Sequence, residues 1–226
     1  MAAAGSAQSS ESSSQPAKPA AQDQPSMSVQ ARIQKRREQR RAQAIQDAYS
    51  HKYEAYLGGG YERFNLSNGL QRATLWSWNG DFTRFLREDL GVTVDVRGNY
   101  GTAFLEPKQQ VNNISHPAIY QHSGMIGPVY RFYKTPRYAL YGRALAGVSY
   151  GTYSGDFSGY QVNSTATGLY PDGAVFALNG AALGDYNVTP NFAARLSGEY
   201  TLTGYGSSIQ ANPEFTIGFV YRWGKP

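Results

Sequence analysis

Residues 138–151 read YALYGRALAGVSYG, and this stretch decides the fold. One alternate set of side chains is apolar with an aromatic ring at each end: Tyr138, Leu140, Gly142, Ala144, Ala146, Val148 and Tyr150. The other set carries Arg143 and Ser149. Because successive side chains of a β-strand point to opposite faces, the pattern predicts a strand with one apolar and one polar face. Such a strand spans about 40 Å, or about 30 Å of membrane height at a tilt of about 40°, which matches an apolar band of about 25 Å bordered by aromatic rings.

The same period of two divides the chain from Tyr53 onward into eight segments. They cover residues 53–66, 75–86, 92–104, 119–133, 138–151, 174–186, 191–203 and 212–223. Short connections (87–91, 134–137 and 187–190) alternate with long ones (67–74, 105–118, 152–173 and 204–211). This alternation and the even strand number are typical of outer-membrane barrels. We predict an all-β fold over residues 53–226, an eight-stranded antiparallel up-and-down transmembrane β-barrel with periplasmic termini and extracellular long loops.

The polar faces of these strands predict a lumen filled by ion pairs. A soluble lipocalin-type barrel is the alternative, but it would carry its charges outside and an apolar interior. Here the charged face is the rarer one and mixes both signs, while Arg63 and Arg84 fall on the apolar face near strand ends. The predicted luminal ion-pair network consists of Glu54, Glu62, Asp81, Asp95, Arg97, Arg131, Arg143, Arg195, Glu199, Glu214 and Arg222.

Aromatic residues recur near the ends of the apolar faces. Rings that are apolar but carry a polar atom favour the membrane interface, and outer-membrane barrels have an aromatic girdle at each interface. The predicted aromatic girdle consists of Tyr53, Tyr61, Trp78, Tyr100, Tyr120, Tyr138, Tyr150, Tyr186, Phe192, Tyr200, Phe215, Tyr221 and Trp223.

The composition agrees with such a barrel. Charged residues make up 16 % of the chain and aromatic residues 14 %, with 18 Tyr, 25 Gly and no Cys. The absence of cysteine excludes a disulfide framework and thiolate metal sites. The net charge of +5 arises from one local cluster rather than from a basic face of the main domain, which argues against nucleic-acid binding.

The N-terminal part of the chain differs from the barrel. Residues 1–27 are rich in Ser, Gln, Pro and Ala, which predicts a disordered tail. Residues 1–7 resemble the small-residue end of a signal peptide, so we expect the true start to lie upstream. Residues 28–52 contain no Gly or Pro and predict a helix capped by Ser28, on the periplasmic side. Its basic residues are Arg32, Lys35, Arg36, Arg37, Arg40 and Arg41.

This basic helix is polar all round in its middle, so the sequence does not predict burial in lipid. A helix is about 10 Å wide, and an eight-stranded lumen filled by side chains leaves no room for it. We therefore expect a free helix below the barrel that contributes little to barrel stability. It is available to an anionic periplasmic partner, although a solvated charged helix is an equally good interpretation.

Candidate catalytic and binding residues are few. His122 and Ser123 are adjacent in a strand, so they point to opposite faces and cannot form a nucleophile–base pair. His116 lies in a loop before Pro117. The glycines of residues 58–60 lack the Lys-Ser/Thr and the helix of a phosphate loop, and Asp156 and Asp172 are isolated. We predict no catalytic residue, no cofactor and no metal site.

Four motifs carry a resemblance to a known family. They are YEAYLGGGYERF (53–64), LGVTVDVRGNYG (90–101), YALYGRALAGVSYG (138–151) and FTIGFVYRW (215–223). Residues 53–223 resemble the small outer-membrane barrels of the OmpA-transmembrane and OmpX type, also described as the outer membrane protein β-barrel or porin family. The last motif resembles the C-terminal signal for the barrel-assembly machinery, but Gly224, Lys225 and Pro226 follow its final Trp223.

The resemblance implies an integral protein of the Gram-negative cell envelope, surrounded by outer-membrane lipid. Two hypotheses about its role stay open. The first is a non-enzymatic barrel that acts as a membrane anchor or presents surface loops. The second is a barrel that handles lipid or a small molecule, either as a lipid-modifying enzyme or as a narrow channel. The charge-filled lumen and the lack of a catalytic constellation favour the first.

Overall fold

In the computed structural model of the protein, the described residues are 28–66, 70–108, 110, 112–160, 163–206 and 208–224. The predicted tail of residues 1–27, with its resemblance to a signal peptide at residues 1–7, lies outside them. The chain divides into two units, one ending at Arg37 and the other beginning at Glu38. None of the described helices is long and apolar enough to cross a membrane.

The N-terminal helix, α1, runs from Val29 to Tyr49. Ser28 precedes it, and the Ala31 backbone N–H donates to Ser28 Oγ at 3.3 Å, so a side chain satisfies one of the free N–H groups at the helix start. All six predicted basic residues of the helix are exposed. The helix ends before His51, which leads directly into the first strand.

The rest of the chain forms one closed antiparallel barrel in which every strand pairs with its neighbours in sequence. The prediction of eight strands is confirmed, and each strand end lies within two residues of its predicted place. The strands are β1 (Tyr53–Phe64), β2 (Ala73–Phe85), β3 (Leu90–Thr102), β4 (Ala118–Lys134), β5 (Tyr138–Thr152), β6 (Gly173–Asn187), β7 (Phe192–Thr203) and β8 (Gln210–Trp223).

Closure occurs between the first and last strands, as predicted. Leu57 lies opposite Phe219, and Tyr53 lies opposite Trp223. The long loop between β5 and β6 contains two short 3-10 helices, Gly155–Tyr160 and Ser164–Thr167. One irregularity interrupts the pairing of β4 with β5, between Arg131 and Tyr133. Full closure leaves no unpaired strand edge, which a barrel in lipid requires.

The two faces of each strand separate as the sequence predicts. In β5, Tyr141, Arg143 and Leu145 are buried, whereas Ala144 and Val148 are exposed. The outer wall is therefore a belt of exposed aliphatic and aromatic side chains. Such a belt is rare on soluble proteins and fits a surface in contact with lipid. Members of this belt include Leu57, Val94, Val96, Ile126, Leu140, Val148, Leu178, Leu196, Ile217 and Phe219.

The barrel has two different ends. We call the end with the short turns and the entry from α1 the turn end, and the opposite one the loop end. At the loop end, side chains from strand ends and loops form an apolar core that we call the loop-end cluster. It consists of Phe64, Leu66, Ala73, Leu75, Ala103, Leu105, Ile119, Tyr153, Phe157, Leu169, Tyr170 and Tyr205.

Candidate functional site

The lumen is the most distinctive chemical feature of the molecule. The structure places all eleven predicted luminal residues inside the barrel, each no more than 6 % exposed. Their ion pairs fall into two groups, and among the described residues no ion pair joins one group to the other. We call them the turn-ward network and the loop-ward network, after the end of the barrel that each lies nearer.

The turn-ward network has two carboxylates and three guanidinium groups. Glu54 receives hydrogen bonds from Arg131 Nη2 at 3.0 Å, from Arg195 Nη2 at 3.0 Å and from Arg222 Nε at 2.8 Å. Asp185 accepts from Arg195 Nε at 2.6 Å and also pairs with Arg222. Glu54 is thus the hub of this network, since it contacts all three guanidinium groups.

Aromatic rings and a backbone carbonyl surround the surplus guanidinium of this network. The Cζ atom of Arg131 lies 4.7 Å from the ring centre of Tyr49, 4.3 Å from that of Phe85 and 5.1 Å from that of Tyr141. Its Nη1 donates to the Glu88 carbonyl at 2.8 Å. The negative faces of aromatic rings attract a cation, so the surplus positive charge is stabilised without a third carboxylate.

The loop-ward network has the opposite composition. Arg97 pairs with Asp95 at 2.8 Å, with Glu199 at 3.1 Å and with Glu214 at 2.6 Å. Arg143 pairs with Asp81 at 2.5 Å, with Glu199 at 2.9 Å and more distantly with Asp95. Glu62 lies beside Glu214 and adds a further carboxylate. The network therefore holds five carboxylates and two guanidinium groups.

The strand register places three pairs of these carboxylates directly opposite each other. The pairs are Asp81 with Asp95, Glu62 with Glu214, and Glu199 with Glu214. Like charges at directly opposed positions destabilise a sheet, most strongly where water is excluded. The loop-ward network thus carries a surplus of negative charge within the wall of the lumen.

The turn end is closed by α1 itself. Tyr49 is 4 % exposed, and its hydroxyl accepts from Asn187 Nδ2 at 2.6 Å and donates to the Thr135 carbonyl at 3.0 Å. Its ring covers both Arg131 and Arg222, and burial raises the pKa of its phenol, so the hydroxyl keeps its proton. The expectation of a helix that lies free of the barrel is therefore wrong for its last turn.

The residue after the helix strengthens this attachment. His51 is buried, with its Nδ1 3.4 Å from the Ala48 carbonyl and its Nε2 3.1 Å from Asn191 Nδ2. A neutral imidazole with the proton on Nδ1 satisfies both contacts. The sequence did not predict the contact of Tyr49, because an apolar stripe along the helix is the usual sign of burial and this contact uses a single ring at the helix end.

Asp185 is a charged luminal residue that was not predicted from the sequence. It lies in β6, whose other inward positions are mostly small, so the strand shows little charge alternation. The sequence did contain one signal for Asp185, which is that it shares its parity along the strand with two other polar residues, Asn179 and Asn187. The structure buries all three. The sequence also gave no indication that the charged residues separate into two networks.

The predicted girdle residues all lie on the outer wall, in two bands. Ring contacts connect neighbouring strands within each band, for example a tilted contact of Tyr138 with Tyr186 and an edge-to-face contact of Tyr100 with Tyr120. The band toward the turn end consists of Tyr53, Tyr138, Tyr186, Phe192, Tyr221 and Trp223. The band toward the loop end consists of Tyr61, Trp78, Tyr100, Tyr120, Tyr150, Tyr200 and Phe215. Arg63 and Arg84 are exposed near the ends of the outer wall.

His122 and Ser123 do point to opposite faces. His122 is exposed on the outer wall, where its Nε2 lies 2.9 Å from the Tyr100 hydroxyl, whereas Ser123 is buried and donates to Ser149 Oγ at 2.8 Å. A serine–histidine pair that was not predicted from the sequence is present in the loop between β3 and β4. Ser115 Oγ lies 2.8 Å from His116 Nδ1. The His116 ring packs on Phe104 at 5.4 Å, and among the described residues no carboxylate pairs with it.

The remaining candidates have structural contacts. Asp156 accepts from the Ala118 backbone N–H at 2.7 Å, and Asp172 accepts from that of Tyr153 at 2.6 Å, so both hold loop backbone. The glycines of residues 58–60 lie within β1. Within the described part of the chain, no group of three or more His, Cys, Asp or Glu side chains is arranged to hold a metal ion.

The fold has counterparts among solved structures. Neisserial surface protein A shares 13 % identity, with a TM-score of 0.55 over 76 % of this chain and 97 % of that one. Ail of Yersinia pestis, in complex with the heparin analogue sucrose octasulfate, shares 19 % identity, with a TM-score of 0.48 over 76 % and 99 %. The N-terminal barrel of Pseudomonas aeruginosa OprF shares 15 %, with a TM-score of 0.42 over 76 % and 98 %. No family model matches the chain, and no curated protein matches it.

The closed barrel, the apolar outer wall and the two aromatic bands define an integral β-barrel of the bacterial outer membrane. Within that class, the chain has the fold of the small eight-stranded barrels, as Neisserial surface protein A does.

Proposed function

We propose that this protein is a closed, non-enzymatic anchor of the outer membrane. One observation carries the proposal, namely that the lumen is filled from end to end. The loop-end cluster fills one mouth, the two ion networks fill the middle, and Tyr49 fills the other mouth. An eight-stranded barrel has an interior just wide enough for its own side chains, so this packing favours an anchor over a channel.

We propose that the turn end faces the periplasm and the loop end faces the outside. Short periplasmic turns and long extracellular loops are the rule for this class of barrel. The long loop of residues 153–172 would then lie at the cell surface, packed on the loop-end cluster through Tyr153, Phe157 and Leu169. The strand Gln210–Trp223 would be the contact for the barrel-assembly machinery.

The basic helix supplies the periplasmic part of the proposal. Its last turn is fixed to the barrel through Tyr49, while Arg40 and Arg41 are exposed. We propose that the exposed arginine and lysine side chains of α1 bind an anionic partner at the periplasmic face, because guanidinium groups bind carboxylates and phosphates in two-pronged hydrogen bonds. The barrel would then hold this helix at the membrane.

Conductance in a planar lipid bilayer tests the closed lumen. Purified full-length protein should give no stable conductance steps above the lipid background. The variant Tyr49→Ala serves as a contrast, since it opens the turn-end mouth but leaves both ion networks and the loop-end cluster in place. Large steady steps from the unchanged protein would show a channel and would overturn the proposal.

The contact between Ser115 and His116 is the observation that favours the second candidate, an enzyme acting on lipid. A serine nucleophile needs a base that a third group orients, and here the imidazole instead packs on Phe104. We expect no reaction with a fluorophosphonate probe and no release of fatty acid from phospholipid. Labelling that disappears in Ser115→Ala would establish the enzyme hypothesis.

A further inference from the structure

Glu62 differs from every other luminal carboxylate in its partners. The other six each pair with at least one guanidinium group, whereas the described residues offer Glu62 none. Its hydrogen bond comes from the neutral amide of Asn99, and its opposite neighbour on β8 is another carboxylate, Glu214. Glu62 is only 1 % exposed, so solvent does not screen this pair.

Among the described residues, three oxygen atoms around this pair make no hydrogen bond of good geometry. They are Glu214 Oε1, Asn99 Oδ1 and Ser77 Oγ, and their residues are all at least nine-tenths buried. Ser77 lies opposite Asn99 on the neighbouring strand. It is also the next inward position on β2 after Leu75, which lies opposite Glu62. Glu62, Glu214, Ser77 and Asn99 thus occupy neighbouring inward positions on four consecutive strands of the barrel wall.

The surroundings of these four residues exclude other sources of positive charge. On the loop side lie Phe64, Leu75 and Tyr153 of the loop-end cluster. On the turn side lies Arg97, which already pairs with Asp95, Glu199 and Glu214. The turn-ward network stabilises its surplus charge with aromatic rings, but a carboxylate gains nothing from the negative face of a ring. A buried surplus of carboxylate charge is neutralised either by a bound cation or by protonation of a carboxylate.

We propose that Glu62, Glu214, Ser77 and Asn99 form a binding site for one small, hard, oxygen-coordinated metal cation. Carboxylate, amide and hydroxyl oxygens are the ligands that such cations take. The site contains two carboxylates, and its other ligands come from neutral side chains. The cation offsets the charge of the opposed carboxylates and is coordinated by Glu214 Oε1, Asn99 Oδ1 and Ser77 Oγ.

Urea-induced unfolding of the full-length protein in lipid vesicles tests the site. Stability is measured at constant ionic strength in choline, sodium and calcium chloride, and in choline chloride between pH 5 and pH 9. Choline is too large for a closed lumen, and constant ionic strength removes general screening effects. The metal arm detects a bound metal ion, and the pH arm detects protonation of the carboxylates in its place. A single bound ligand changes the unfolding constant by up to tenfold for each tenfold change in its free concentration.

Three variants isolate the effect. Glu62→Gln keeps the shape but removes the charge, and Ser77→Ala removes a neutral ligand. Glu88→Gln is the control, since Glu88 is an exposed carboxylate paired with Lys134 outside the lumen. We expect the unchanged protein and Glu88→Gln to become more stable with rising sodium or calcium concentration at pH 8. Glu62→Gln should lose most of this dependence, and Ser77→Ala should require a higher concentration for the same effect.

Two results would overturn the proposal. One is a stability of the unchanged protein that does not vary with the metal ion, even where it varies with the pH, since protonation of a carboxylate then replaces the cation. The other is a dependence that survives intact in Glu62→Gln, since it would then arise from another group. If Glu62→Gln does not fold, Ser77→Ala decides the question, because an unaltered concentration dependence in that variant excludes a site formed by these four residues.

Discussion

The two ion networks of the lumen occupy one barrel but differ in the sign of their surplus charge. The turn-ward network has one guanidinium too many, and three aromatic rings with a backbone carbonyl surround it. The loop-ward network has three carboxylates too many, with only neutral amide and hydroxyl groups nearby. The difference teaches that aromatic rings can stabilise a buried surplus of positive charge, whereas a buried surplus of carboxylates needs a hydrogen-bond donor, a proton or a bound cation.

The difference also separates two kinds of glutamate. Glu54 contacts three guanidinium groups, and its removal leaves them with one carboxylate fewer. Glu62 contacts none, and its removal lowers a repulsion. The same chemical change should therefore have opposite consequences at the two positions, and the predictions below use this contrast.

The largest effect is expected from Glu54→Gln. Breaking a buried ion pair by removing one partner costs about 3–5 kcal/mol, because the remaining charge stays buried without compensation. We expect a clear fall in the urea midpoint of unfolding in lipid vesicles. The control Glu88→Gln should cost about 1 kcal/mol or less, as exposed ion pairs do. Equal midpoints for the two variants would mean that Glu54 is not the hub of the turn-ward network.

A change on the outer wall gives the next largest effect. Ala144 lies near the middle of β5 and is exposed on the apolar face. An arginine at the bilayer midplane of a barrel costs about 2–4 kcal/mol, so Ala144→Arg should refold poorly into vesicles. Ala144→Leu is the matched control and should refold normally. If Ala144→Arg refolded as well as or better than Ala144→Leu, Ala144 would face the lumen and not the lipid.

Tyr49→Phe tests the closure of the turn end. The variant keeps the ring over Arg131 and Arg222 but loses the hydrogen bonds with Asn187 and Thr135, and it leaves Asn187 Nδ2 with only the Pro136 carbonyl. We expect a loss of about 1–2 kcal/mol in the free energy of unfolding. Tyr49→Ala should cost more, because it also removes the ring from two guanidinium groups. If both variants match the unchanged protein, the helix end does not stabilise the barrel.

The smallest effect is expected from Glu62→Gln. In choline chloride at pH 8, we expect its free energy of unfolding to lie within about 1 kcal/mol of that of the unchanged protein and to be the higher of the two, because the substitution removes a repulsion between opposed carboxylates. The measurement is the same urea titration. A loss as large as that of Glu54→Gln would show that both glutamates have the same role.

The sequence predicted the barrel well because a period of two is a strong local signal. In β5 and β8, the outward face is apolar throughout and every charged residue lies on the other face, so parity alone assigned Arg143, Glu214 and Arg222 to the lumen, where the structure also has them. Where the inward positions are small, as around Asp185 in β6, parity gave too little contrast to identify the charged residue.

The contacts across the lumen could not be predicted from the sequence. Parity tells which face a residue is on but not which residue on the far wall it reaches. Arg143 on β5 meets Asp81 on β2, and that pairing depends on the shear and diameter of the closed barrel. The attachment of α1 was missed for the same reason, since the partners of Tyr49 come from the turn after β4, the end of β6 and the last strand.

Those partners of Tyr49 also set an order in time. Thr135 lies in the turn after β4, Asn187 at the end of β6, and Arg222 near the end of the chain. Arg222 reaches its position only when β8 pairs with β1, so the full set of contacts for Tyr49 forms only when the barrel closes. The helix is synthesised before every strand, yet we expect its last turn to be fixed only after the barrel has closed. Burial of the Tyr49 side chain during folding would therefore report on barrel closure.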